Sequence, residues 1–281
     1  MRKVHNSLIF FLLISNLVLA QYNPDNHVVT FSKYYLKDLK DVESGSSEER
    51  KKVFEEESQK MDNANSLLIS KFVLGHRWTG SVNEVIQMAE WKSIADADKS
   101  IVGTADRRKK IWPDKEKREN FLKSFNKYWT GEHTDIAVME QVNNRLKRYK
   151  GNIDENTVVT IVEFYLRPIS EIEDGSSEER EELFNEYFNK VIMKNPKILS
   201  RTELRHYWSG SSGGGNVPIT IVTEYSNIED ADNMSLNKAY NEKAWPNKEK
   251  RDEFFKKRNK YIAYGHKDIG IHTNWVNLAK R

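Results

Sequence analysis

Cysteine is absent from this chain, which excludes a disulfide framework and a lipidated N-terminal thiol and leaves any exported form to stand on its packed core. Proline and glycine are scarce, at six and 13 of 281 residues, so the chain is neither a collagen-like repeat nor a flexible linker. An excess of one charge sign is missing too. Residues 24–150 carry 24 basic and 21 acidic side chains and residues 151–281 carry 19 and 21, a balance that gives no reason to expect nucleic acid or an anionic membrane as a partner. No apolar run reaches the roughly 20 residues of a membrane span. The longest, Leu8 to Ala20, is interrupted by Ser15 and Asn16 and preceded by Arg2, Lys3 and His5. It reads as a secretory signal peptide over residues 1–20, cleaved after Ala20, and predicts export to the periplasm or the extracellular space. There is no nucleophile elbow, phosphate loop or dinucleotide fingerprint; Ser212-Gly213-Gly214-Gly215 lacks the lysine and the strand-to-helix setting of a phosphate site. No cofactor is expected.

What the chain does have is a copy of itself. WPDKEKR at 112–118 returns as WPNKEKR at 245–251, 133 positions later, and GSSEER at 45–50 returns unchanged at 175–180. Leu74-Gly75-His76-Arg77-Trp78-Thr79-Gly80-Ser81 matches Leu204-Arg205-His206-Tyr207-Trp208-Ser209-Gly210-Ser211. These anchors divide the mature chain into repeats at 21–150 and 151–281.

Each repeat predicts the same series of elements. A strand rich in β-branched and aromatic residues (Val28 to Leu36; Val158 to Leu166) leads to a helix opened by a capping box, Ser46 with Glu49 and Ser176 with Glu179. Two strands follow, the second running Val85 to Trp91 and Ile219 to Tyr225, with a four-residue insertion at the second repeat's hairpin tip. A short helix start then collects Asp96 and Asp98, or Asp230 and Asp232, at its positive end. Pro113 and Pro246 suit the first turn of another helix, ended by Gly131 and Gly265 before a last strand at Asp135 to Val142 and Asp268 to Val276. The order β-α-β-β-α-β is the ferredoxin-like unit, whose sheet has one bare face. Two such units packed sheet to sheet predict an α+β protein forming an intramolecular α+β barrel.

This strand order, the unit length, the duplication and the strand-three ending E-[WY]-x-x-I (Glu90 to Ile94; Glu224 to Ile228) resemble the dimeric α+β barrel superfamily, which includes the antibiotic-biosynthesis monooxygenase, NIPSNAP and stress-responsive barrel groups. The resemblance implies a barrel whose interior can hold a ligand. It leaves the chemistry open, because members include cofactor-free oxygenases, isomerases and haem-binding enzymes. Its haem-binding branches take an iron ligand from a histidine of the second-helix region, and Pro113 to Trp129 contains none.

Four of the seven histidines fall into repeat-matched pairs. In a strand, His76 shares a face with Leu74 and Trp78, and His206 with Leu204 and Trp208. A neutral imidazole there is a candidate acid-base group or a structural core histidine, and Glu90 and Glu224 are candidate partners across the hairpin. Trp78, Trp208, Tyr35, Tyr165, Lys71 and Arg201 are candidate ligand contacts, with Lys33 and Glu163 making the facing surfaces polar and unlike. His133 with Asp135, and His266 with Asp268, offer two ligands each without a third, so no metal is expected. The favoured expectation is a secreted or periplasmic protein binding a small molecule in or beside the barrel, between its repeats. The alternatives are a cofactor-free oxygenase or isomerase using His76 or His206, and a non-catalytic structural or protein-interaction module. Oligomeric state is not fixed by the sequence.

Overall fold

The computed structural model describes residues 25–207 and 215–281, so the expected signal peptide and Trp208 lie outside the described residues. Eight antiparallel strands close into one barrel in the order β1-β3-β2-β8-β5-β7-β6-β4. They are β1 (Val28–Leu36), β2 (Leu68–His76), β3 (Glu84–Trp91), β4 (Trp129–Gln141), β5 (Thr157–Leu166), β6 (Ile198–His206), β7 (Val217–Tyr225) and β8 (Ile262–Asn274). The first four and the last four each form a connected stretch of wall. The two stretches join edge to edge where His76 faces His272 on β2·β8 and where Met139 faces His206 on β4·β6.

Alternation along each strand decides what lies inside. Val29, Phe31, Leu74 and Met88 from the first half meet Val159, Ile161, Leu204 and Val222 from the second in one apolar cluster that fills the barrel. The outward residues of the same strands are covered by helices. In the first half these are α1 (Ser47–Asn63), α2 (Ile94–Val102), α3 (Thr104–Ile111) and α4 (Lys115–Asn126); in the second, α5 (Ser177–Tyr187), α6 (Ile228–Asp232), α7 (Met234–Ala244) and α8 (Lys248–Asn259).

The repeated motifs turn out to be helix starts. Asp114 and Asn247 cap α4 and α8 by accepting from the backbone N–H of Lys117 (2.8 Å) and Lys250 (2.9 Å). Pro113 and Pro246 therefore stand outside the helix rather than in its first turn, because the cap falls one residue after them. The preceding tryptophans stack on the helices they introduce, Trp112 on Phe121 at 4.3 Å and Trp245 on Phe254 at 4.0 Å, while Arg118 and Arg251 bond back to the tryptophan carbonyls.

The capping box is only half formed. Ser46 accepts from Glu49 N–H as expected, but the Ser46 N–H goes to the Tyr128 hydroxyl (3.1 Å), which donates to the Glu49 carboxylate (2.7 Å). Tyr261 plays the same part between Ser176 and Glu179. A fully buried tyrosine thus relays the return bond and pins the start of α1 or α5 to the strand that follows α4 or α8. That strand also begins earlier than expected: Gly131 and Gly265 lie inside β4 and β8 at φ +85° and +93°, where the register against β1 and β5 shifts, so they make bulges instead of ending helices.

After β4 and β8 the chain crosses over. Lys147 pairs with Arg201 on β6 through two backbone bonds, and Lys280 pairs with Lys71 on β2 in the same way. Each half's tail lies on the other half's wall.

Candidate functional site

The residues expected to act together are held apart. His76 and His206 end their strands at one rim of the barrel and are exposed; His76 Nδ1 contacts the Thr79 carbonyl at 3.0 Å. Glu90 is registered beside Ser70, six strand residues or roughly 20 Å from His76. The expected His–Glu pairs are therefore not assembled, because the hairpin puts the start of β3, not its end, beside His76. Trp78 lies beyond the end of β2 and is 74% exposed. Tyr35 and Tyr165 do face inward near that rim, but their hydroxyls are engaged by Thr134 (3.2 Å) and Glu163, and Lys33 pairs with Glu84 (3.3 Å). Sequence matching passed over His272, since its counterpart in the first half is Met139. It is buried at the β2·β8 joint, and burial pushes its imidazole below the ordinary histidine range.

At the opposite rim Glu90 and Glu224 are buried and saturated. Glu90 accepts from Arg148 (2.5 and 2.6 Å), Ser70 (2.6 Å) and Gln141 (2.9 Å) and contacts His27 at 2.6 Å; Glu224 accepts from Arg281 (3.0 Å), Thr157 (2.5 Å), Ser200 (2.8 Å) and Asn274 (3.2 Å). Burial alone would raise both carboxyls, but the bonds from their arginines and hydroxyl partners outweigh it and hold both below the usual range. They are clamps that fix the crossing tails. The cavity beside them, between the halves, has a volume of only about 70 Å³.

The larger cavities lie outside the barrel, between its wall and the helices, one on each half. The first holds about 520 Å³, within the range of small-molecule sites. Its aromatic wall comes from Tyr34, Phe54, Phe125 and Trp129, with Phe54 stacked on Trp129 at 4.9 Å and Tyr34 edge-on to Trp129 at 5.6 Å. The Trp129 indole N–H is buried without a hydrogen-bond partner among the described residues. The polar floor contains Lys71, bound to Asp62 (2.6 Å) and Ser58 (2.7 Å), and Glu57, 3.4 Å from Arg108. Burial pushes the Glu57 carboxyl up, against the pull of Lys71 and Arg108. His133 stands at the edge of the same cavity, stacked on Tyr34 at 5.8 Å. Among the described residues no three His, Cys, Asp or Glu side chains gather as a metal site.

The second cleft, about 320 Å³, is lined by Arg145, Phe164, Phe184, Tyr187, Arg201 and Arg258 among others. Lys71 and Arg201 thus face outward into the two clefts, away from the inner face that carries Tyr35 and Tyr165.

A closed eight-stranded antiparallel barrel, helices on its outer surface and a helix-roofed cleft on each half make this an α+β barrel protein. No family model and no curated protein matches the chain in sequence. Among solved structures it is similar to a monooxygenase-like protein from Lactobacillus acidophilus (11% identity, 89% of this chain and 93% of that one, TM-score 0.46) and to one from Fusobacterium nucleatum (10%, 91% and 94%, 0.45). It is also similar to chlorite dismutase from Candidatus Nitrospira defluvii (12%, 94% and 96%, 0.44). This likeness concerns the chain path and assigns no activity.

Proposed function

We propose that the protein binds a small, largely apolar aromatic molecule in the first cleft, on a barrel built from two tandem ferredoxin-like units of an exported chain. The observation that carries the reading is a cavity of about 520 Å³ with an aromatic wall that includes Tyr34, Phe54, Phe125 and Trp129, the Trp129 indole N–H being without a partner among the described residues. A buried donor without a partner costs roughly 1–3 kcal/mol, which an acceptor on a ligand would recover. The ligand would lie beside the barrel and under the helices of one half, since the interior is filled by Val29, Phe31, Leu74, Met88 and their counterparts. The acid-base alternative loses its support, as neither His76 nor His206 lines this cavity or meets Glu90 or Glu224.

The test uses the neutral fluorophore N-phenyl-1-naphthylamine. Wild-type protein should enhance its emission, and Ala89→Phe, which projects a ring from β3 into the cleft, should weaken binding by at least about tenfold. Circular dichroism would check that the variant folds. Equal enhancement by both proteins would place the probe elsewhere and overturn the reading; native mass spectrometry of freshly purified protein would show whether a molecule is already carried.

A further inference from the structure

The second cleft differs from the first in its charge. Arg145 donates to Glu203 from two nitrogens (2.7 and 2.8 Å) and to Glu181 (2.9 Å); Arg205 also uses Glu181 (2.9 and 3.1 Å), and Arg180 Nε lies 3.5 Å from it. Three guanidinium groups therefore consume both carboxylates. Arg201 and Arg258 remain, lining the cavity with no carboxylate in ion-pair contact among the described residues. Arg258 lies over two rings, 4.4 Å from the centre of Tyr187 and 5.2 Å from that of Phe184, and its Nε is buried without a hydrogen-bond partner among the described residues. Burial comes first among the influences on the Arg258 guanidinium and pushes it below its ordinary value; Tyr187 and Glu203 oppose the shift and the positive charge of Arg201 adds to it.

The first cleft shows that the fold does not require this arrangement. There the residue matched to Arg201 is Lys71, neutralised by Asp62 at 2.6 Å, and the residue matched to Arg258 is Phe125, part of the aromatic wall. Two cations without an ion-pair contact of their own, beside a Glu203 already bound to Arg145, are costly in a cavity with an aromatic lining, and a group bearing negative charge would reduce that cost. The geometry also limits the shape of the occupant. Guanidinium groups bind carboxylates through paired, coplanar N–H donors, and the rings of Phe164, Phe184 and Tyr187 offer flat surfaces beside them.

We propose that the second cleft binds a small planar carboxylate, its anionic head held by Arg201 and Arg258 and its flat body lying against Phe164, Phe184 and Tyr187. The site is separate from the first cleft and does not depend on that cleft being occupied.

Isothermal titration of the full-length protein with 2-naphthoate, 2-naphthamide and inorganic phosphate tests this directly. Naphthoate should bind wild type and Ala89→Phe alike, and Arg201→Gln and Arg258→Gln should each weaken it by at least about tenfold, as should replacing the acid by the amide. Thermal unfolding gives a second readout. Without ligand, each arginine variant should melt at a higher temperature than wild type, because a like-charge repulsion has been removed; naphthoate should raise the melting temperature of wild type but not of the variants. Equal affinity for acid and amide, binding unchanged in both arginine variants, or no binding of naphthoate at about 1 mM would each overturn the proposal. Phosphate binding as tightly as naphthoate would overturn the role given to the rings. If the arginine variants fail to fold, the acid-to-amide comparison in wild type and Ala89→Phe still decides.

Discussion

Glu90 and Glu224 carry the largest single-residue consequences. Each is buried with an arginine from a crossing tail, and removing one member of such a pair leaves the other's charge poorly compensated. Because Arg148 and Arg281 are partly exposed, Glu90→Gln should cost about 2–3 kcal/mol at pH 7 rather than the 3–5 of a fully buried pair. The pH dependence follows from the direction of the shifts. Glu90, Glu181, Glu203 and Glu224 are all held below the ordinary glutamate value in the folded protein. Their contribution is therefore complete above the unfolded-state value of about 4.3 and is lost as pH falls through the lower folded values. Urea midpoints of wild type should stay level down to about pH 5 and drop below about pH 4, and the gap between wild type and Glu90→Gln should narrow over that drop. A gap that stays constant into acid would contradict the clamp. The sequence marked both glutamates as notable by position but not their partners, because Arg148 and Arg281 sit in tails without periodicity and Glu90 meets Arg148 only after the chain has crossed the barrel.

At the level of elements, the tyrosine relay makes helix starts depend on the strands that close each half. Tyr128→Phe keeps the ring in its buried place but removes the hydroxyl that serves both Ser46 and Glu49, and Tyr261→Phe does the same for Ser176 and Glu179. Each change should cost about 1–2 kcal/mol, visible as a lower melting temperature, whereas Ser46→Ala in the Tyr128→Phe background should add less than its effect alone. Strict additivity would mean that the bonds are independent. The serine and glutamate of this device were legible in GSSEER, as were the strands and most helices. The tyrosine's part was not legible, since a side chain that accepts one bond and donates another across about 80 positions leaves no local pattern. The bulges at Gly131 and Gly265 were hidden for a similar reason: glycine after a helix reads first as its end.

For the whole molecule, the two halves share a core and two strand joints, so they should unfold together. Deleting residues 279–281 removes Lys280 from β2 and Arg281 from Glu224, and should lower stability by about 3 kcal/mol while ellipticity and tryptophan fluorescence still report one transition. Two separated transitions would show that the halves are less coupled than the barrel implies. The α+β class and a barrel were readable from the order of the elements and the resemblance that order carries. The clefts were not, because their walls combine outward strand residues with helix residues far apart in sequence: Lys71 and Arg201 stood out as a matched pair, but their helix neighbours Asp62 and Arg258 did not.

The crossing tails also impose an order in time. Ser58 bonds to the carbonyl of Leu278, 220 positions later, and β2 finds its second neighbour only when β8 and Lys280 arrive. During synthesis the open side of β2 therefore waits with unpaired backbone groups that could recruit a strand from another chain, whereas β6 meets β4 and Lys147 already made. A circular permutant starting at Asn152 would reverse the wait, leaving β6 exposed and β2 provided for, without changing a single contact of the finished barrel.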